Sequence, residues 1–262
     1  MRHWLVILAA LAASTSPAAA EQRNFCAERP GQTTPPCTLS PGTFMIETGL
    51  IDWSRLTDDS GVTDTTFVGS SLIRAGVTDR LELQVGWLPY GHVRAVDSAT
   101  RTAHSSAGSG DVSIGFVYGS ASGAGPVALQ GFVTLPAGGS TIGAGDWGAG
   151  LRLPIQIELG HGVQASLTPE VDAAVNASGD GRHMAYGGAT GLGVPLAASL
   201  SLSIDLAAFR NDDPGGATTI ATAGQSLAWQ AGKSLQFDLG AAEGLNRSSP
   251  RARLYAGIAK RF

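Results

Sequence analysis

Apolar and polar residues alternate at every second position along most of this chain. Between Leu81 and Trp87 each odd-numbered residue is apolar, whereas Glu82, Gln84 and Gly86 fall on the other side. This period is typical of a β-strand with two unlike faces. A short polar turn joins this strand to a similar one before it, so the pair is predicted to be an antiparallel hairpin.

The same hairpin pattern recurs to the end of the chain and predicts an all-β fold of about twelve strands. Lengths of about ten residues suit tilted strands that cross a bilayer. Longer polar loops alternate with short turns, as in outer-membrane barrels, and the longest predicted loop covers residues 91–109. The predicted strands are 44–53, 65–76, 81–90, 111–119, 126–135, 147–158, 163–175, 184–194, 200–209, 218–229, 235–244 and 252–262.

The N-terminal residues 1–20 have the pattern of a cleaved signal peptide. Arg2 and His3 precede the apolar run from Trp4 to Ala13, and an Ala-Ala-Ala sequence ends the segment. This run is too short to span a membrane. We therefore expect export of the mature chain.

The direction of the apolar face decides between a soluble barrel and a membrane barrel. A lipocalin-like barrel turns its apolar face inward, whereas a membrane barrel turns it toward lipid and keeps a polar lumen. Export, the alternating connections and a final strand that ends on Phe262 favour the membrane. We predict a transmembrane antiparallel β-barrel over residues 44–262 in the bacterial outer membrane, with both termini in the periplasm.

A terminal aromatic residue such as Phe262 resembles the signal that the barrel-insertion machinery reads. A proportion of aromatic residues of only 6% counts against this prediction, because it leaves thin interfacial girdles.

Residues 21–43 are rich in proline and threonine and show no alternation. They are predicted to form an irregular leader in the periplasm, with partial entry into the barrel as an alternative. Cys26 and Cys37 both lie in this leader. Export brings them into an oxidising compartment, so we expect a disulfide, which would contribute about 3 kcal/mol in the chain-entropy picture.

With the apolar rows toward lipid, the polar rows line the lumen. Buried charges must be paired or hydrated, so the usual arrangement is a ladder of arginine–carboxylate pairs between strands. A water-filled path with a mild cation preference is the alternative. The lumen-lining candidates are Glu47, Arg74, Glu82, Gln84, Asp111, Gln130, Arg152, Gln156, Glu158, Gln164, Glu170, Asp172, Asp205, Asp238, Arg253 and Arg261.

Two short motifs resemble a known family. The hairpin sequence from Arg74 to Leu83 fits R-x-G-[LV]-T-D-x-x-E-L, and Gly108 to Gly115 fits G-x-G-D-[LV]-x-[LV]-G. Both resemble the outer-membrane transporters of the MetA-pathway of phenol degradation family, and Glu47 on the first strand also fits. The resemblance implies a barrel that takes up hydrophobic or aromatic compounds. It transfers no substrate-binding residue, because the matching positions lie in turns and strand starts.

The sequence contains few motifs of catalytic or ligand-binding sites. The net charge of −4 is unfavourable for nucleic-acid binding. The glycine-rich segment 143–148 lacks the following helix of a dinucleotide site, and no G-x-S-x-G motif occurs. The acidic segments 58–64 and 211–213 could hold calcium, although such loops are usually only solvated. We therefore predict no catalytic, cofactor or metal site and no enzymatic activity.

These patterns support three functions to different degrees. The first is a passive channel for small hydrophobic or aromatic solutes, with the outer-membrane lipid bilayer as its surroundings. The second is a structural or adhesive barrel with a closed lumen. The third and weakest is a membrane-embedded hydrolase, which would assemble serine, histidine and a carboxylate in space.

Overall fold

The computed structural model describes residues 23–139 and 141–262, so the predicted signal peptide lies outside the described residues. Every named element is a β-strand, and no helix among the described residues is long and apolar enough to cross a membrane. The strands are β1 (Phe44–Asp58), β2 (Gly61–Val68), β3 (Ser70–Gly76), β4 (Leu81–Trp87), β5 (Tyr90–Asp97), β6 (Ala103–Gly108), β7 (Val112–Tyr118), β8 (Leu129–Leu135), β9 (Gly148–Arg152), β10 (Ile155–Gly160), β11 (Val163–Val175), β12 (Arg182–Ala197), β13 (Leu200–Asn211), β14 (Thr218–Gln230), β15 (Leu235–Gly244) and β16 (Ala252–Arg261).

The sheet closes on itself, because β16 pairs with β1 in antiparallel register from Met45↔Arg261 to Arg55↔Ala252. Four pairs of consecutive segments each continue one another along the wall: β2 with β3, β4 with β5, β6 with β7, and β9 with β10. Counted in this way, the wall is a closed twelve-stranded antiparallel barrel, which confirms the predicted fold class.

Breaks within the wall strands coincide with glycine and proline. Gly69 has a φ of 76°, a conformation that favours glycine, and it separates β2 from β3. Pro89 lies between β4 and β5, and Pro154 lies between β9 and β10. Because proline lacks an N–H for the ladder, both prolines end a run of pairing. The predicted strands 65–76, 81–90 and 147–158 are therefore each interrupted.

The prediction of a loop over residues 91–109 is wrong. This segment is mostly the hairpin of β5 and β6, which pair from Gly91↔Gly108 to Val96↔Ala103 and extend one side of the wall. All residues of β6 except Gly108 are exposed. A strand outside both lipid and core has no reason to alternate, so its sequence resembles that of a loop.

The apolar rows face outward. On β7 and β4, Ile114 is 53% exposed and Leu83 48%, whereas Glu82 on β4 and Arg74 on the adjacent β3 are essentially buried. Large apolar side chains are exposed around the barrel, from Phe44 to Leu254. This distribution matches a barrel with lipid outside and polar groups inside, as predicted.

The short connections 77–80, 161–162, 198–199 and 231–234 share one end of the barrel with Arg23, the first described residue, and Phe262; we name it the turn end and the opposite end the loop end. The leader, residues 23–43, enters the barrel from the turn end and returns to it before β1. At its base Cys26 and Cys37 are joined by a disulfide, with Cα atoms 6.6 Å apart. The leader thus occupies the lumen, as in the alternative of partial entry, and does not lie outside the barrel.

Candidate functional site: the lumen

Arg74 on β3 is the centre of the polar network in the lumen. Its Nε donates to Glu82 Oε1 at 2.6 Å and its Nη1 donates to Glu47 Oε1 at 2.8 Å. The side chains of all three residues are at most 1% exposed. Because β3 lies between β1 and β4, one arginine joins three neighbouring strands.

The two carboxylates around Arg74 also bind the backbone of the leader. Glu47 accepts hydrogen bonds from the N–H groups of Glu28 and Arg29 at 3.0 and 3.1 Å, and Glu82 accepts one from Leu39 N at 2.9 Å. An irregular buried segment must find partners for its N–H groups outside a ladder. The wall supplies these partners as carboxylate oxygens.

The tip of the leader loop reaches the opposite side of the wall. Arg29 pairs with Asp238 on β15 at 2.9 Å, the only arginine of the loop tip to reach a wall carboxylate among the described residues. The other contacts come from backbone and amide groups, and together they cross the whole lumen. They join Gln32 N to Asp205, Thr34 N to Thr168 Oγ1, Thr222 Oγ1 to Gln32 Oε1, and Gln236 Nε2 to the Arg29 carbonyl.

Glycines on the luminal face let the leader approach the wall. A Cβ on Gly76 would overlap the carbonyl of Ser40, and a Cβ on Gly257 would overlap the guanidinium of Arg29. Gly76 belongs to the hairpin motif identified in the sequence, in which Arg74 and Glu82 form the ion pair across the turn. The residues of this motif therefore form both a hairpin and a binding surface for the leader.

The leader divides the lumen into two chambers. The turn-end chamber has a volume of about 870 Å³ and reaches Asp79 and Ser122 at that end. The loop-end chamber has a volume of about 710 Å³ and is bordered by Asp111 and Arg253. Leader residues 28–31 and 33 line both chambers, so they form the partition.

The other predicted residues form smaller groups. Arg152 pairs with Glu170 at 2.8 Å across β9 and β11, and Arg253 pairs with Asp52 at 2.6 Å across β16 and β1. Most of the remaining candidates contact each other or loops. The Gln84 and Gln130 amides donate to the Glu28 carboxylate of the leader, and Asp111 accepts hydrogen bonds from the Gly138 and Ala144 N–H groups. Arg261 donates to the Arg23 and Lys233 carbonyls. Gln156, Glu158 and Gln164 line the turn-end chamber, and Asp172 follows Glu170 on the same face of β11.

Sequence reasoning missed Asp52 and the leader residues Glu28 and Arg29 as parts of the site. The predicted luminal set contains more acidic than basic residues, and Arg29 neutralises Asp238 within it. This imbalance was the available signal that a basic group from outside the wall enters the lumen.

The acidic loop segments considered for calcium are occupied by protein contacts. The carboxylate of Asp58 accepts from Ser60, and Asp64 pairs with Arg55. Hydrogen bonds from the Ala177 and Gly215 N–H groups lower the pKa of Asp213. The described residues contain no group of three or more His, Cys, Asp or Glu side chains that could hold a metal ion.

Comparison with known proteins identifies a family and the fold. The model of the family described as "Putative MetA-pathway of phenol degradation" matches residues 27–262. None of the curated proteins matches the sequence.

Two solved structures have a similar fold. The COG4313 outer membrane channel from Pseudomonas putida F1 aligns with a TM-score of 0.66 at 17% identity, over 89% of this chain and 99% of that chain. The β domain of the Bordetella autotransporter BrkA aligns with a TM-score of 0.55 at 15% identity, over 84% and 98%. Together with the outward apolar rows, this fold places the protein in the bacterial outer membrane.

Proposed function

The chain belongs to the MetA-pathway of phenol degradation family, and on that premise we propose that it is a passive outer-membrane channel for small hydrophobic or aromatic solutes. The observation that carries this proposal is the pair of chambers on either side of the leader. No strand crosses the lumen among the described residues, and the partition is a segment without regular structure.

The partition can shift without disturbing the wall. It is bound by side-chain contacts such as Arg29 with Asp238 and Thr34 N with Thr168, whereas the strands are bound to each other by backbone ladders. Movement of the leader tip would therefore join the chambers at the cost of the Arg29–Asp238 ion pair and the tip's hydrogen bonds, those to carboxylates being worth about 1.5–3 kcal/mol each.

The solute class follows from chamber size and from the family. Each chamber has the volume of a small-molecule site, which is about 300–1,000 Å³. Phe209 and Tyr255 line the loop-end chamber and offer ring surfaces for apolar or aromatic solutes. The family description, which concerns phenol degradation, supports the same class.

Uptake and conductance test the proposal together. Phenol uptake should fall in a strain that lacks the protein and return on complementation, and the purified protein should conduct ions in planar bilayers. Unchanged uptake together with a barrel that carries no current would refute the channel function.

A closed structural barrel is the second candidate, and the leader favours it. The segment fills the middle of the lumen, and Arg74 forms ion pairs with both Glu47 and Glu82. A barrel that carries no current even after removal of residues 23–36 would support this candidate over the channel. Under either candidate we propose no enzymatic role and no resident cofactor.

Orientation and biogenesis complete the proposal. We infer that the turn end faces the periplasm, since outer-membrane barrels have their short turns there. Phe262 is 68% exposed and its N–H donates to the Phe44 carbonyl at the barrel seam. That exposed position would leave its ring accessible to the barrel-insertion machinery during assembly.

A further inference from the structure

Asp205 on β13 is a buried carboxylate without a cationic partner. Asp205 is only 2% exposed, and its carboxylate accepts one hydrogen bond, from the Gln32 N–H at 3.3 Å. Within the residues that the structure describes, no lysine, arginine or histidine lies within ion-pair distance of it.

Other deeply buried carboxylates of the lumen differ from Asp205. Glu47 and Glu82 share Arg74, and Asp238 binds Arg29. An unpaired buried carboxylate is costly unless water or a passing ion solvates it. Asp205 borders the turn-end chamber, from which such a partner can reach it.

Asp205 also lies where the two chambers approach each other. The luminal face of its neighbour β12 has only small residues in this region; Ala189 lines the loop-end chamber and Gly191 lines the turn-end chamber. These positions are two residues apart on one strand, or about 7 Å. Gly31 of the leader borders both chambers.

Two glycines leave room for the carboxylate at this point. A Cβ on Gly31 would lie 3.3 Å from Asp205 Oδ2, and a Cβ on Gly191 would overlap Oδ1. The carboxylate therefore sits between the leader tip and the small-residue face of β12. Movement of a solute along β12 from one chamber to the other would bring it past this carboxylate.

We propose that Asp205 is the charge-selecting residue of this channel, which admits cations and neutral solutes and rejects anions. The inference rests on the proposed channel function. An unpaired negative charge in a narrow passage of low dielectric attracts cations and repels anions more strongly than a paired charge or one in bulk water. Glu47 and Glu82 share the single positive charge of Arg74, so each is partly compensated, whereas Asp205 has no cation within ion-pair distance in the described part of the chain.

The test is the isosteric substitution Asp205→Asn, measured as the reversal potential under a potassium chloride gradient in planar bilayers. We expect the parent channel to prefer K⁺ over Cl⁻ and the variant to lose roughly fivefold or more of that preference, because the fixed charge is removed. Asp180→Asn is the matched control, since Asp180 is an exposed loop residue outside both chambers. The control should keep the parental ratio.

The outcomes separate the two proposals. If the parent conducts and Asp205→Asn conducts with an unchanged permeability ratio, the selecting role is wrong and the channel function stands. If parent and variant carry no current, and phenol uptake is the same in strains with and without the protein, the channel function fails and the inference fails with it. Folding of the variant is checked by its heat-dependent migration on gels, which should match that of the parent.

Discussion

At the scale of single residues, Arg74 shows how one side chain connects wall and leader. It forms ion pairs with Glu47 and Glu82 and donates from Nη1 to the Cys26 carbonyl at 2.9 Å. Removal of one member of a buried ion-pair group leaves an uncompensated charge, which is more harmful than loss of the whole group.

Arg74→Met should therefore destabilise the barrel by about 3–5 kcal/mol. The measurement is urea unfolding of the refolded protein in phospholipid vesicles. Arg247→Met is the control, because Arg247 is exposed in the loop between β15 and β16 and has no ion-pair partner among the described residues. Equal unfolding midpoints for the two variants would contradict a central role for Arg74.

At the scale of elements, the leader is a loop closed at its base by a covalent bond. Cys26 and Cys37 bracket Glu28, Arg29, Gln32 and Thr34, which make the contacts that cross the lumen. Without the disulfide, the tip would have to be held by those contacts alone.

We expect the double substitution Cys26→Ser and Cys37→Ser to raise single-channel conductance and to expose the leader to protease. The physical reason is the lost loop closure, worth about 3 kcal/mol for a loop of this length. Treatment of the parent with dithiothreitol should reproduce the change, whereas the double variant should not respond to it. Conductance that is insensitive to both treatments would show that the disulfide does not hold the partition.

At the scale of the whole molecule, the closed wall separates lipid from a polar interior. Ile114 lies near the middle of β7 and is 53% exposed, although no water surrounds that part of a membrane barrel. The apolar rows are therefore a surface for hydrocarbon.

Ile114→Arg should cost about 2–4 kcal/mol in bilayers, the range for arginine near the midplane on the lipid face of a barrel. Leu245→Arg is the control, because Leu245 is equally exposed but lies in the loop between β15 and β16. Comparison of the two free energies of unfolding in vesicles tests the membrane placement. A protein that dissolved without detergent and tolerated both changes equally would contradict it.

Local pattern was sufficient for the strands within the membrane and insufficient at both ends of the barrel. The alternation from Leu81 to Trp87 predicts β4 and its outward face, since lipid imposes one polarity on every second residue. The hairpin of β5 and β6 lies beyond that constraint and resembled a loop. The polar candidates are named by the same alternation, but their choice of partners, such as Arg29 for Asp238, joins residues far apart in sequence.

The sequence by itself determined a wall of about twelve alternating strands, because the bilayer enforces a two-residue period along them, and its export signal, alternating connections and terminal Phe262 indicated that the apolar face points toward lipid. Only the tertiary structure decided that the leader lies in the lumen, that it divides the lumen into two chambers and that Asp205 remains unpaired between them. An irregular segment has no period to reveal its surroundings, and its place is set by hydrogen bonds to side chains from many strands that only the closed barrel brings together.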